Sequence, residues 1–338
     1  MSKGRGLSGL ANVGNTCYLN SCIQALSHTP ELSRVIKKCM TEPSRLTRCV
    51  ESVAVIEWGK LRALLWKEDC TIAPHGFVGA LKHVSEVKKL DLAIGRDQND
   101  AQEFLQFLVE CFHVALSREV DMKIEGVPQN DQDRLAQTCY KAMCDMYQKE
   151  YSEMLPMFYG VHVSVVEGMD GHQYSIRPEP FSVLSLPIPY GGTSHTLGSC
   201  LDAYCEACEL TGENQYETAE GFYVDARKSL CFWSLPKILV VHIKRWCPTG
   251  NKDQRLVHAP STLDMSKYVR GYKAESFVYD LYAVCNHSGV SMGGHYTASV
   301  KPYGQHEWYE FNDTRVSRIS NRSAVVTPYA YCLFYRKK

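Results

Sequence analysis

Cys17 stands between a Gly-Asn turn and a helix-forming run, in the stretch LSGLANVGNTCYLNSCIQ over residues 7–24. A thiol at the first turn of a helix has an electrostatic reason to be reactive, because the dipole and the free N–H groups there favour thiolate. Gly14 and Asn15 supply the turn, Thr16 is placed to cap the helix, and Leu19, Ile23 and Leu26 follow at helical spacing. Cysteine is more often a small buried hydrophobe, and the chain has fifteen, so position alone does not single out Cys17.

A cysteine nucleophile also needs a base, a group that orients the base, and a donor for the oxyanion. In NHSGVSMGGHYTASVK, His295 follows a glycine pair at the start of a strand, where small neighbours let another segment approach its ring. EWYEFNDTRV ends a second strand at Asn312 and Asp313, and two adjacent antiparallel strands could bring the Asn312 amide oxygen to the imidazole. Asn12, five residues before Cys17, has a side-chain N–H suited to an oxyanion. In DAQEFLQFLVECF, Asp100 and Glu103 share a helical face; such pairs most often only complement the helix dipole.

The elements that position these residues divide the chain near residue 156. Residues 1–155 read as a mainly helical lobe. Val53, Ile56, Leu61, Leu64 and Leu65 mark one apolar face, Phe77, Leu81 and Val84 another, and Phe104, Leu108 and Phe112 a third. The run 131–151 is also helical, with Tyr140, Met143 and Tyr147 along a side read as core. Residues 156–338 are rich in short β runs, among them FYGVHVSVV, ILVVHIKRW, FVYDLYAVCN and YAYCLFY, which predict a largely antiparallel sheet system. PMFYG at the change is not linker-like, so residues 1–338 read as two lobes of a single domain.

Lys plus Arg equals Asp plus Glu at 37 each, so no overall field points to nucleic acid or an anionic membrane. No stretch approaches the roughly 20 apolar residues of a membrane span, and the opening MSKGRGLSGLANVG has no signal-peptide core. The expectation is a monomer in the cytoplasm, the nucleus or both, with mainly reduced thiols.

The residues also carry a resemblance. GLANVGNTCYLNSCIQ resembles the cysteine box of the ubiquitin-specific proteases, the papain-like deubiquitinases, and GGHYTASV followed by WYEFND resembles their histidine box. Between them DQNDAQEFL at 97–105 is similar to the family's Gln-Asp box, EPFSVLSLPIP at 179–189 to its palm entry, and LPKILVVHIKRW at 235–246 to the strand before a loop. The resemblance implies an α+β, papain-like cysteine protease fold with a helical thumb lobe and an antiparallel-sheet palm and fingers lobe. Cys17 is then the nucleophile, His295 the general base and then acid, Asn312 the orienting group with Asp313 sharing that role, and Asn12 the oxyanion donor. Asp100 and Glu103 would bind basic residues of ubiquitin's C-terminal tail, with Gln98 and Tyr296 beside them. Segments 289–294 and 246–260 resemble mobile loops over the channel.

The implied activity is thiol-dependent hydrolysis of the isopeptide bond after the C-terminal Gly of ubiquitin, on proteins or on polyubiquitin, without a cofactor. A ubiquitin-like modifier is the alternative substrate. A silent ubiquitin-binding module would have lost Cys17, His295 or both Asn312 and Asp313, and all are present. Many members hold a zinc ion with two CxxC pairs, but Gly168, Gly171, Thr218 and Gly221 stand at those places here, so no metal is expected. Cys205-Glu-Ala-Cys208 is only half of a tetrahedral site, and completing it would require Cys200, His195 or Cys231; reduced thiols are the preferred reading.

Overall fold

The computed structural model describes residues 5–191, 195–247, 250–290 and 293–338. The chain starts with strand β1 (Gly9–Leu10) and helices α1 (Cys17–Ser27), α2 (Pro30–Thr41) and α3 (Ser52–Leu65). Strand β2 (Thr71–Ile72) runs parallel to β1, and α4 (His75–Lys88), α5 (Ala101–Leu116), α6 (Asp131–Tyr147) and α7 (Met154–Phe158) complete the helical half.

Sheet structure dominates after Phe158. Strands β3 (Gly160–Gly168) and β4 (Gln173–Phe181) form a hairpin, followed by β5 (Val183–Pro187), β6 (His195–Thr196), helix α8 (Leu197–Cys205), β7 (Cys208–Leu210), β8 (Tyr216–Glu217) and β9 (Tyr223–Val224). The remaining strands are β10 (Ala226–Ser234), β11 (Ile238–Lys244), β12 (Val257–His258), β13 (Thr262–Asp264), β14 (Val278–Val290), β15 (Gly293–Val300), β16 (Trp308–Asn312), β17 (Arg315–Ile319) and β18 (Ala330–Lys337).

Among the described residues two main sheets form. One has the order β4-β3-β10-β7; the other runs β17-β16-β15-β14-β18-β11-β5, with β13 alongside β14. The expected antiparallel pairing holds for most neighbours, but β5 pairs parallel with β11, as do β6 and β12. A parallel pair requires a crossover, and the long excursion from β5 through the four-stranded sheet and back to β11 supplies it.

α1 is buried on every side, from Cys17 to Ser27, although its sequence predicts one apolar face. Several of its polar groups find partners inside: Gln24 donates to the Ser8 carbonyl at 2.8 Å, and Ser21 and Ser27 donate to carbonyls three residues back. The largest apolar cluster joins α1–α5 to β14, β15 and β18 and includes Leu19, Phe104, Tyr282 and Phe334. Two face readings need correction. Leu64 is half exposed, and Trp58, at the position its neighbours leave for it, fills the core of α3 instead. On α6 the buried residues are Ala136 and Cys139, whereas Tyr140 lies at the surface with its edge on Trp233.

Candidate active site

Gly14 and Asn15 both have positive φ, 119° and 50°, which makes the turn that leads the chain into α1. The side chain that organises this turn is Asn12, not Thr16. Asn12 Oδ1 accepts from Thr16 N at 3.0 Å, Thr16 Oγ1 at 3.2 Å and Gly14 N at 3.3 Å. Thr16 does occupy the N-cap, but its hydroxyl makes no capping bond to α1 and accepts from Val13 N instead. Asn15 ties the turn to the Arg96 carbonyl at 2.9 Å, and Tyr18 meets Phe104 edge-on at 5.3 Å. The beginning of α5 is thereby held beside the beginning of α1.

Cys17 lies at the first position of α1, against β15, and is 3% exposed. Burial pushes its thiol up from the ordinary cysteine value, opposed by the Tyr296 backbone N–H; the Asp313 carboxylate adds to the rise, while the N–H groups of Tyr18 and of Cys17 itself lower it. The expected helix-end effect is present, but desolvation outweighs it.

His295 lies on β15 and Asn312 at the end of β16, its antiparallel neighbour. Nε2 of His295 and Oδ1 of Asn312 are 2.7 Å apart, which fixes Nε2 as the protonated nitrogen if the amide oxygen is to accept. Among the described residues no hydrogen bond engages Nδ1, so that nitrogen is left for a proton from the thiol. The turn after Asn312 places Asp313 in the left-handed region, φ 48°. Its carboxylate does not take the imidazole; it accepts from Asn12 Nδ2 at 3.1 Å and Asn20 Nδ2 at 2.8 Å. Asp313 thus ties the histidine-bearing sheet to the segment that carries Cys17, and its carbonyl accepts from Leu10 N at 2.8 Å. Gly9 permits this approach, since a Cβ there would collide with the Thr314 carbonyl.

The Asn12 amide has two N–H donors, of which Asp313 takes one. The second is available for an oxyanion. Gln98 grips the backbone beside His295 from both sides: its Nε2 donates to the Gly294 carbonyl and its Oε1 accepts from Gly294 N, each at 3.0 Å. Asp100 caps α5 by accepting from Gln102 N at 2.7 Å, and its other oxygen accepts from the Tyr331 hydroxyl. Glu103 is exposed and makes no hydrogen bond or ion pair among the described residues; partial burial and the carboxylates of Asp100 and Asp91 raise its pKa. Tyr296 is buried at 5% exposure, its ring tilted against that of His287 with centres 4.5 Å apart, so it lies behind the site and not on its open face.

Asn20 is a residue that sequence reasoning missed, and its signal was an asparagine three positions after Cys17, one turn into the helix. Arg245 is another. It is fully buried, and it donates to the carbonyls of Ala330, Asp253 and Arg255 at 2.7, 3.0 and 2.9 Å, which closes the base of the 246–260 loop. Ser291 and Met292 of one expected loop, and Pro248 and Thr249 of the other, lie outside the described residues.

Gly168 and Gly171 form the turn between β3 and β4, and Thr218 and Gly221 the turn between β8 and β9. Both turns close through their own backbone, Gly171 N to Gly168 O at 2.9 Å and Gly221 N to Thr218 O at 3.0 Å. Among the described residues no group of three or more His, Cys, Asp or Glu is arranged to hold a metal.

Comparison with known proteins places this geometry. The chain is 33% identical to ubiquitin carboxyl-terminal hydrolase Usp2 of Drosophila melanogaster over 99% of its own length and 35% of that protein's. It is 32% identical to ubiquitin carboxyl-terminal hydrolase 2 of Homo sapiens over 98% of its own length and 55% of that protein's. It therefore spans about half, or less, of these relatives. Among solved structures, a chain of the SAGA Ubp8/Sgf11/Sus1/Sgf73 DUB module bound to ubiquitin aldehyde superimposes with a TM-score of 0.73 at 24% identity, covering 100% of this chain and 72% of that one. At that identity the likeness establishes the fold, an α+β papain-like architecture. The family model described as ubiquitin carboxyl-terminal hydrolase matches residues 8–335, and the chain belongs to that family.

Proposed function

We propose that the chain is a cysteine-dependent deubiquitinase whose catalytic unit spans both lobes, with Cys17 as nucleophile and His295 as base. The observation that carries this reading is the 2.7 Å bond between His295 and Asn312 on adjacent strands, packed against the helix that begins with Cys17. His295 Nδ1 takes the thiol proton, and the thiolate adds to the carbonyl carbon of the modifier's C-terminal glycine. The resulting oxyanion is met by the second Asn12 N–H. Collapse breaks the C–N bond as the imidazolium gives its proton to the departing lysine amine, leaving a thioester on Cys17. His295 then takes a proton from water, which adds to the thioester carbonyl and releases the glycine carboxylate and the thiol.

The exposed carboxylate of Glu103 supports a tail with basic side chains, the feature expected of ubiquitin. Asp100 is committed to its cap and to Tyr331, so it supports this tail by shaping the start of α5. The relatives' names and the ubiquitin-bound structures support ubiquitin as the modifier, and the fifteen free cysteines support a reducing compartment, cytoplasm or nucleus. The test is hydrolysis of a ubiquitin C-terminal fluorogenic amide, with the same amides of other modifiers in parallel. Wild type is expected to release fluorophore from ubiquitin and Cys17→Ala to release none. A folded, inert wild type or a fully active Cys17→Ala would refute the proposal.

A further inference from the structure

Residues of α2, the segment that follows it, the end of α5, α7 with Glu153 before it, and Lys237 just before β11 line an open cavity of about 440 Å³. It is at the opposite end of α5 from Gln98 and Asp100, and the sixteen residues of that helix span about 24 Å. The floor is apolar, made of Val35, Cys39, Leu116 and Met157. The lining carries five cations, Arg34, Lys38, Arg45, Arg118 and Lys237, against the two carboxylates of Glu31 and Glu153.

Both carboxylates are already committed. Arg118 holds Glu153 through two bonds of 3.0 Å, one to each oxygen, and Glu31 pairs with Arg336 at 3.3 Å and Arg34 at 3.8 Å. Arg45 pairs with Glu42 outside the lining. Among the described residues the ammonium groups of Lys38 and Lys237 make no ion pair or hydrogen bond. Long basic side chains do cover apolar surface for packing alone, but packing does not call for an excess of three positive charges around one hollow in a chain whose formal net charge is zero. Charge complementarity calls for an anionic occupant, and the apolar floor calls for one that also has something to bury.

We propose that this cavity is a docking site for an acidic peptide segment of a partner protein. An aliphatic or aromatic side chain of the peptide fills the floor, and flanking carboxylates reach Lys38 and Lys237. The volume lies within the range of about 300–1,000 Å³ usual for ligand sites. The site is separate from the Cys17 region, so its occupant anchors a partner without competing for the tail channel, and its existence does not depend on the proposed activity.

The test uses a fluorescein-labelled peptide in which a Leu-Phe pair is flanked on each side by two glutamates, titrated by fluorescence polarisation into the full chain. Saturable binding is expected. It should weaken by at least tenfold in the double variant Lys38→Glu, Lys237→Glu, and fall as salt is raised from 50 to 200 mM (about 14 to 7 Å of screening length). Both lysines are on the surface, and circular dichroism of the variant checks that it folds. A peptide with serines in place of the Leu-Phe pair is expected to bind at least tenfold more weakly. No binding of the first peptide, equal binding by the charge-reversed chain, or equal binding of the serine peptide would each overturn the proposal. The last result would reduce the cavity to a general basic patch.

Discussion

The turn at Asp313 and the turns at Gly168–Gly171 and Thr218–Gly221 are all short reversals at strand ends, yet they are held in opposite ways. Each of the latter closes on itself, through bonds between residues three or four apart, including Phe222 N to Thr218 Oγ1 at 3.2 Å. Asp313 is held by Asn12, Asn20 and Leu10, roughly three hundred positions away in the chain. A turn closed by its own residues needs no distant partner. A turn that joins two lobes transmits any change directly to the spacing between Cys17 and His295.

The largest effect that probes this difference is expected at Asn312. Removing the amide in Asn312→Ala leaves the His295 ring without its orienting acceptor and should lower kcat/KM by about 10²-fold or more, with little change in Tm. Retention of full activity would show that Asp313, or another group, orients the ring.

The thiol gives a second test of the same junction. Its pKa is raised by burial, so in the free enzyme it stays protonated above the usual cysteine range. Below that pKa the thiolate fraction rises about tenfold per pH unit, and inactivation by iodoacetamide should keep accelerating through pH 9. A plateau below pH 7 would mean instead that an ion pair with His295 dominates over burial at rest.

Asp313→Ala set against Gly171→Ala separates the two kinds of turn. The first removes the acceptor that Asn12 Nδ2 and Asn20 Nδ2 share, which should cost about 1–3 kcal/mol of stability and lower activity with it. Gly171 has φ 82° and open space around it, so alanine there should cost about 1–2 kcal/mol and leave kcat/KM unchanged. Equal losses of activity in both variants would abolish the distinction. The smallest effect is expected from chelation: prolonged treatment with phenanthroline should leave Tm and activity where they were, because Gly168, Gly171, Thr218 and Gly221 offer the two turns no thiol or imidazole for an ion. A fall in Tm that zinc restores would reveal a site built from other residues, Cys205 and Cys208 first among them.

The helices at 52–65, 75–88 and 101–116, the long strands, and the pairing of His295 with Asn312 were legible because each is written in local periodicity or in a motif. The face errors arise where burial depends on a neighbour: Leu64 is left in solvent, and Tyr140 of α6 rests on Trp233 of strand β10. Thr16 has the chemistry of a cap, but its hydroxyl is engaged by Asn12 Oδ1 and Val13 N on the turn side, a competition that nearest-neighbour reasoning does not see. The resemblance puts Gln98 and Tyr296 beside a substrate tail; the structure engages Gln98 with Gly294 and buries Tyr296 behind the site.

By itself the sequence determined which groups could do the chemistry: a thiol at a helix start, an imidazole on a strand, and amides at a turn and a strand end. These follow from residue type and short-range pattern, which the chain carries wherever it folds. Only the tertiary structure decided that Asp313 serves the junction instead of the imidazole, that desolvation outweighs the helix dipole at Cys17, and that basic residues from four separate segments surround one hollow. Each of these depends on distance and burial between residues far apart in the chain, and electrostatic and hydrogen-bond energies take their sign from those two quantities.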